Sequence, residues 1–195
     1  MRQVAGIDEA GRGPLAGPVV AAAVILKPRR RIAGVADSKQ LTPEERAELE
    51  VAIRREALCF GIGWADHAEI DAINILQATF LAMHRALLAM PWLPDHLLVD
   101  GNQKPPLKGL AKVLTVRTII GGDASHQAIS AASILAKTAR DRYMNQMHAV
   151  YPQYCFSDHK GYATPEHQRL LAEHGPCPLH RRSFEPVRLA LKIAL

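Results

Sequence analysis

Residues 19–26 are eight consecutive apolar residues, and this segment constrains the fold more than any other part of the sequence. It is far too short to cross a bilayer, which takes about 20 residues, so it predicts a buried β-strand. Residues 4–8, which are apolar up to Ile7, predict a preceding strand, and the glycine- and proline-rich residues 11–18 predict an irregular connection. The chain is therefore expected to begin with two strands joined by this segment.

The rest of the chain alternates between apolar strands and amphipathic helices. Thr42, Pro43 and Glu45 have the arrangement of a capping box with proline in the first turn, which predicts a helix start. We predict strands at residues 4–8, 19–26, 57–64, 97–100 and 113–120, and helices at residues 42–55, 65–90, 124–147, 164–174 and from about 184. This order predicts one mixed α/β domain over residues 1–195, with residues 151–195 as a loop-rich, helical C-terminal appendage.

Composition and charge fit a globular protein that meets a polyanion. The chain has 195 residues, of which 48% are hydrophobic and 22% charged, so general disorder is not expected. Residues 1–100 carry 11 basic against 13 acidic side chains, and residues 101–195 carry 13 against 6. A basic half suits a nucleic acid held near bound cations, although charge alone fits a solvated surface equally well. No apolar run of signal length opens the chain, so we expect no secretory leader and a cytoplasmic protein.

The three cysteines are widely spaced along the chain. We expect reduced thiols at Cys59, Cys155 and Cys177, not a disulfide framework. One alternative is a zinc site with four ligands from Cys155, His159, Cys177 and His180. Its ligand spacing is loose, so reduced thiols are the simpler interpretation.

Four acidic residues stand where a strand ends or a helix begins. Asp8 and Glu9 follow the first strand, Asp100 ends a later strand, and Asp123 precedes a helix. Each alone is well explained as a turn former or helix cap. If the two strands are parallel neighbours, their carboxylates converge at one edge of the sheet and repel one another unless cations lie between them. Such hard oxygen ligands suit Mg²⁺ or Mn²⁺, and a pair of these ions promotes phosphodiester hydrolysis.

The glycine-rich segment has some likeness to a dinucleotide-binding turn. Its third glycine, Gly17, comes one residue late, Pro14 interrupts it, and the nearby carboxylates would repel a pyrophosphate, so we reject that interpretation. Glycines at Gly11 and Gly13 instead let the backbone approach a ligand, which suits recognition of a ribose 2′-hydroxyl. A tight turn explains these glycines but does not explain Arg12 beside two acids.

The sequence DEAGRGPLAGPVV at residues 8–20 resembles the opening signature of the type 2 ribonucleases H, in particular the bacterial ribonuclease HII group. Further matches follow in the same order: DSK at 37–39, VDGN at 99–102, SAASILAK at 130–137, HKGY at 159–162 and HRRSF at 180–184. An ordered set that spans almost the whole chain is far more specific than a single motif.

The resemblance implies a ribonuclease H-like fold, a mixed five-stranded sheet flanked by helices, with the first and fourth strands as parallel neighbours. Such an enzyme hydrolyses the RNA strand of RNA–DNA hybrids and cuts on the 5′ side of a ribonucleotide embedded in duplex DNA, leaving 3′-hydroxyl and 5′-phosphate ends. Two divalent ions, Mg²⁺ or Mn²⁺, would be held by the catalytic residues Asp8, Glu9, Asp100 and Asp123. The implied roles are removal of misincorporated ribonucleotides and of RNA primer remnants.

The resemblance also implies substrate-binding residues. Gly11, Arg12 and Gly13 would recognise the 2′-hydroxyl, and Tyr162 would stack on the sugar of the following nucleotide. Because a deoxyribose is favoured there, this stacking would mark an RNA–DNA junction.

Other motif residues have two interpretations each. Lys39, Lys160 and Arg181 would contact backbone phosphates or would be solvated surface charges. Ser130 and Ser133 would donate hydrogen bonds to phosphate or would permit close helix packing.

The chain departs from the family pattern at two positions. Gly121 lies two residues before Asp123, where relatives often carry lysine, and Ala163 follows Tyr162, where many carry glycine. Two alternative functions stay open: a nuclease or recombinase of the same fold that acts on DNA alone, and a non-catalytic nucleic-acid-binding module. We expect a monomer with no membrane association.

Overall fold

The computed structural model describes residues 3–28, 31–35, 41–107, 109–110 and 114–193, and a five-stranded sheet lies at its centre. The strands are β1 (Val4–Ala10), β2 (Val19–Leu26), β3 (Ala57–Ala65), β4 (His96–Asp100) and β5 (Thr115–Ile119). Their order across the sheet is β3-β2-β1-β4-β5, in which β2 is antiparallel to both neighbours and β4 is parallel to β1 and β5. The expected mixed sheet, with its first and fourth strands as parallel neighbours, is confirmed.

The described part of the chain contains seven α-helices: α1 (Pro43–Glu56), α2 (His67–Leu88), α3 (Gly122–Ser125), α4 (Gln127–Val150), α5 (Phe156–His159), α6 (Pro165–His174) and α7 (Glu185–Ile193). The predicted capping box at α1 is confirmed, because the Thr42 hydroxyl accepts a hydrogen bond from the Glu45 amide at 3.2 Å and the Glu45 carboxylate accepts one from the Thr42 amide at 2.7 Å. None of the described helices has the length and apolar character that a membrane span requires.

Helix α2 departs from the uninterrupted helix predicted over residues 65–90. Asn74 has a positive φ of 66° with an extended ψ of 163°, which interrupts the helix. Its side-chain oxygen accepts hydrogen bonds from the amides of Leu76 and Gln77, at 3.0 and 3.1 Å. Asparagine therefore caps the second half of α2. The apolar spacing continues across the break, which is why the periodicity does not reveal it.

Strand β2 is covered by helices on both faces, and its small side chains make this possible. Ala21 packs in the cluster formed with α2, and the next residue, Ala22, packs in the cluster formed with α1 and α4. On β1, a Cβ added to Gly6 would lie only 2.2 Å from the backbone of Ala128 in α4. Helix α4 therefore lies directly against the strand that carries the first two acids.

The C-terminal helices pack against the segment that joins β1 and β2. Leu15 of that segment is buried with Leu171 of α6 and Val187 of α7. Ala16 is buried in a second cluster with Met144 and Phe156. These contacts cover one side of the glycine-rich segment.

Candidate active site

Parallel pairing of β1 and β4 brings the strand-end acids together. In this pair Ile7 lies opposite Val99, so Asp8 and Asp100 come next on neighbouring strands. Both residues and Glu9 line one cleft of about 470 Å³. The carboxylates therefore converge at one edge of the sheet, as we expected if the two strands were parallel neighbours.

Burial and mutual repulsion disfavour the charged state of these carboxylates. Asp8 is 6% exposed, and burial, followed by the charges of Glu9 and Asp100, raises its pKa well above the usual value. Hydrogen bonds from the Ser133 side chain and the Glu9 backbone act in the opposite direction. Burial also raises the pKa of Glu9, against the effect of Arg12, whose guanidinium lies 3.2 Å from the Glu9 carboxylate. A cation between the carboxylates would relieve this repulsion.

Asp123 lies beside Asp100, and its backbone makes the contact. One carboxylate oxygen of Asp100 accepts hydrogen bonds from the amides of Gly122, at 2.8 Å, and Asp123, at 3.3 Å. The helix predicted from residue 124 is interrupted at His126, so Asp123 lies within the short α3 and is not the N-cap of α4. Asp123 is buried, and among the described residues it is not one that lines the cleft. Three of the four predicted metal ligands therefore line the cleft, and the fourth is adjacent to it.

The predicted recognition residues line the same cleft. Gly11, Arg12 and Gly13 form part of its wall, and Gly11 has a φ of 94°, a conformation that favours glycine. Tyr162 is 40% exposed at the cleft, and the Nζ atom of Lys137 lies 5.6 Å from the centre of its ring. An exposed aromatic ring at this place is available for stacking on a sugar.

Two basic residues of the cleft, Arg46 of α1 and Lys137 of α4, are not among the predicted site residues. Lys137 follows Ser133 by four residues, a spacing that puts both on one face of α4, so a sequence signal for it exists. Its Nζ atom also pairs with Asp141 at 2.7 Å. Arg46 has no such signal, because only the packing of α1 against α4 brings it to the cleft.

The predicted phosphate contacts have different outcomes. Arg181 is fully buried, so both interpretations of it, as a phosphate contact and as a solvated surface charge, are wrong. Lys160 is half-buried, donates a hydrogen bond to the backbone oxygen of Ser157, and lines a neighbouring cleft together with Arg46. Lys39 and the rest of the DSK motif lie outside the described residues.

The two serines of α4 have different environments. Ser133 lines the cleft and its hydroxyl bonds to Asp8. Ser130 is buried and donates to the backbone oxygens of Asp123 and His126, where the chain passes from α3 into α4. Ser133 is therefore available to the site, whereas Ser130 stabilises the connection that carries Asp123.

The zinc alternative gains no support from the structure. Both ring nitrogens of His159 contact backbone atoms, the Tyr154 oxygen at 2.8 Å and the Gly161 amide at 3.1 Å, and one nitrogen of His180 accepts a hydrogen bond from the Cys177 amide. Within the described ranges, no three His, Cys, Asp or Glu side chains are gathered closely enough to hold one metal ion by themselves. This applies to the cleft carboxylates as well, so Mg²⁺ or Mn²⁺ there would take further oxygen ligands from water or phosphate, as Mg²⁺ usually does.

Comparison with known proteins gives similarity to one family over most of the chain. The family model described as ribonuclease HII matches residues 5–187. A ribonuclease HII of Bordetella pertussis is 57% identical over 185 residues, which are 95% of this chain and 90% of that protein. Among solved structures, the ribonuclease H2 from Pyrococcus horikoshii OT3 matches with a TM-score of 0.82 and 30% identity over 98% of both chains. Bst-RNase HIII in complex with Mn²⁺ matches in fold, with a TM-score of 0.75 and 22% identity over 99% of this chain and 70% of that one.

Proposed function

The chain belongs to the ribonuclease HII family and is an endoribonuclease, and we propose that it cuts duplex DNA on the 5′ side of a single embedded ribonucleotide. Enzymes of this family hydrolyse the RNA strand of RNA–DNA hybrids and depend on divalent metal ions. The proposal that the chain cuts at a single ribonucleotide depends on one observation: Asp8, Asp100 and residues 11–13 line the same cleft. Hydrolytic acids and a backbone segment able to contact a ribose thus meet on one substrate site.

Two divalent ions, Mg²⁺ or Mn²⁺, would be held by Asp8, Glu9, Asp100 and Asp123. When bound, such ions activate an attacking water and stabilise the leaving oxygen of a phosphodiester. The residues fit these ions because the donors are hard oxygens and because Asp8 is buried against two further carboxylates. Asp8 is the natural shared ligand, since the charges of both Glu9 and Asp100 act on it. A related fold with Mn²⁺ bound, in Bst-RNase HIII, supports the choice of ions.

The chain's own groups hold these carboxylates in place. The amides of Gly122 and Asp123 bind one oxygen of Asp100, which leaves its other oxygen for a cation. The Ser133 hydroxyl bonds to Asp8, and the amide of Glu9 donates to the same carboxylate at 2.8 Å. These contacts orient the site before substrate binds.

Recognition of the substrate is assigned to the wall of the cleft. Gly11, Arg12 and Gly13 would contact the 2′-hydroxyl, and Tyr162 would stack on the next sugar, where deoxyribose is favoured. Lys137 adds positive charge beside that ring. The products would carry 3′-hydroxyl and 5′-phosphate ends. All of these residues come from one chain, so a monomer suffices for the proposed activity.

The test is a DNA duplex with one ribonucleotide, incubated with Mg²⁺ or Mn²⁺ and resolved on a sequencing gel. We expect one cut, immediately 5′ of the ribonucleotide, and an intact all-deoxy duplex. Asp100→Asn should abolish cutting because it removes a metal ligand. Asp95→Asn is the matched control, since Asp95 stands at the opposite end of β4, is exposed, and accepts a hydrogen bond from the Gln3 amide that asparagine can also accept.

The outcomes separate the alternatives. Equal cutting of the all-deoxy duplex would favour a nuclease that acts on DNA alone. Absence of cutting by the unaltered protein, with hybrid binding unchanged in Asp8→Asn, would favour a non-catalytic binding module. Loss of cutting in both Asp100→Asn and Asp95→Asn would contradict the assignment of the metal site to the carboxyl end of β4.

A further inference from the structure

Arg181 lies behind the recognition residues, with its guanidinium 5.1 Å from the centre of the Phe184 ring, and each of its hydrogen bonds that the structure describes goes to a backbone oxygen. It is 0% exposed, and it donates to the backbone oxygens of Gly17 at 2.9 Å, Arg12 at 2.9 Å and Gly11 at 2.6 Å. Burial, followed by the charge of Arg140, lowers the pKa of Arg181 to about 9, so the side chain stays charged at neutral pH. Because all three hydrogen bonds go to backbone oxygens of residues 11–17, the buried charge of Arg181 stabilises the conformation of this segment.

The hydrogen bonds of Arg181 to the oxygens of Gly11 and Arg12 determine the direction of the N–H groups that follow in the chain. In a planar trans peptide group, the carbonyl and the following N–H point in opposite directions, and these peptide groups are trans. The oxygens of Gly11 and Arg12 both point toward Arg181, so the N–H groups of Arg12 and Gly13 point away from it. Both of these residues line the cleft, and neither amide has a hydrogen bond to any residue that the structure describes. Two adjacent N–H donors are thus available to a ligand.

We propose that Arg181 is a positioning residue for ribose recognition, which turns the amides of Arg12 and Gly13 toward the cleft to donate to the 2′-hydroxyl oxygen. The inference rests on the proposed function, because it explains how the same segment would read a ribose. A deoxyribose lacks this oxygen, and the two amides would then lose their partner, which disfavours the wrong sugar. Arg181 itself would touch no substrate atom.

Arg140 offers a matched comparison. It is also 0% exposed, and it also donates to three backbone oxygens: those of Pro18 at 2.9 Å, Lys160 at 2.9 Å and Ala16 at 3.0 Å. It therefore has the same charge, burial and number of backbone hydrogen bonds as Arg181, but it does not bind the oxygens of residues 11 and 12. Its guanidinium lies 5.7 Å from the centre of the Tyr162 ring, which would meet a deoxyribose in both duplexes.

The experiment compares the unaltered protein with Arg181→Lys and Arg140→Lys. For each protein, the dissociation constants of an all-deoxy duplex and of the same duplex with one ribonucleotide are measured in Ca²⁺, with a gel to verify that the duplex stays intact. Lysine keeps the charge but loses the fork that holds two oxygens at once. The preference for the ribonucleotide is the dissociation constant of the all-deoxy duplex divided by that of the duplex with one ribonucleotide. We expect this ratio to fall about tenfold in Arg181→Lys and to stay within about twofold in Arg140→Lys, while both variants lose thermal stability.

An unchanged ratio in Arg181→Lys, beside a clear preference of the unaltered protein for the ribonucleotide, would overturn this inference and leave the proposed function intact. No preference in the unaltered protein would overturn this inference, and the proposed function would fall with it only if the duplex with one ribonucleotide also stays uncut in Mg²⁺ or Mn²⁺. Should Arg181→Lys fail to fold, amide hydrogen exchange on the unaltered protein decides the question. The amides of Arg12 and Gly13 should be protected by the ribonucleotide duplex but not by the all-deoxy duplex, and equal protection by both would overturn the inference.

Discussion

Replacing Gly6 with alanine tests whether the contact between β1 and α4 sets the geometry of the acids. A Cβ at Gly6 would lie 2.2 Å from the carbonyl carbon of Ala128 and 2.3 Å from the amide nitrogen of Ile129, whereas ordinary contact begins at 3.4 Å. Both neighbours are backbone atoms, so no change of rotamer relieves the overlap. The strand and the helix must separate by about 1.2 Å, the difference between 3.4 and 2.2 Å.

The expected effect on activity exceeds the expected effect on stability. Overpacking of this kind lowers the free energy of unfolding by about 1–3 kcal/mol, which a domain of ordinary stability survives. The same separation carries Ser133 of α4 away from Asp8 of β1, and a displacement of about 1 Å at a reacting centre reduces the rate about 100-fold. We therefore expect Gly6→Ala to remain folded and to cut a ribonucleotide-containing duplex about 100 times more slowly.

Single-turnover cleavage and urea denaturation measure the two effects on the same preparation. The control is Gly175→Ala, because Gly175 has a φ of 68° but a Cβ there meets no atom within 4 Å. It should lose about 1–3 kcal/mol through backbone strain alone and cut at the normal rate, since Gly175 has an extended ψ of −179°. Normal cutting by Gly6→Ala would refute the argument that close packing of α4 on β1 positions the acids.

Three further predictions concern charge, pH and metal ions. Asp8→Asn should abolish cutting yet raise the melting temperature in metal-free buffer, because it removes a buried carboxylate repelled by Glu9 and Asp100; a lower melting temperature would contradict this. Burial lowers the pKa of His167 to about 4 and of His180 to about 3, so both stay neutral in the fold while the unfolded chain takes up protons near pH 6.5. The contribution of these histidines to the free energy of unfolding should therefore be fully present above pH 6.5, and the free energy of unfolding should decrease as the pH falls toward 4. Urea denaturation that gives the same free energy at pH 7 and at pH 5 would contradict this prediction. Mn²⁺ should bind more tightly when an all-deoxy duplex is present, since phosphate oxygens complete its coordination, and equal affinities with and without the duplex in a titration of free Mn²⁺ would exclude this.

Local patterns in the sequence were sufficient for most of the secondary structure. Strand β2 and the capping box of α1 depend on contiguous residues, whose apolar runs and side-chain caps act over a few positions. The strand-end acids Asp8, Glu9 and Asp100 are recognisable for the same reason, because each directly follows or ends an apolar run. The ordered motifs, in turn, are sufficient to identify the family and its mixed sheet.

Tertiary structure alone decided how these pieces meet. The convergence of Asp8 and Asp100 depends on the pairing of β1 with β4, and Arg46 reaches the cleft only through the packing of α1 on α4. The burial of Arg181 has no sequence signature, because its partners are backbone oxygens, which every residue carries alike. The break at Asn74 is equally hidden, since the apolar period runs through it. A local sequence pattern predicts the local structure of a residue. Its contacts with residues distant in the sequence depend on how the whole fold packs.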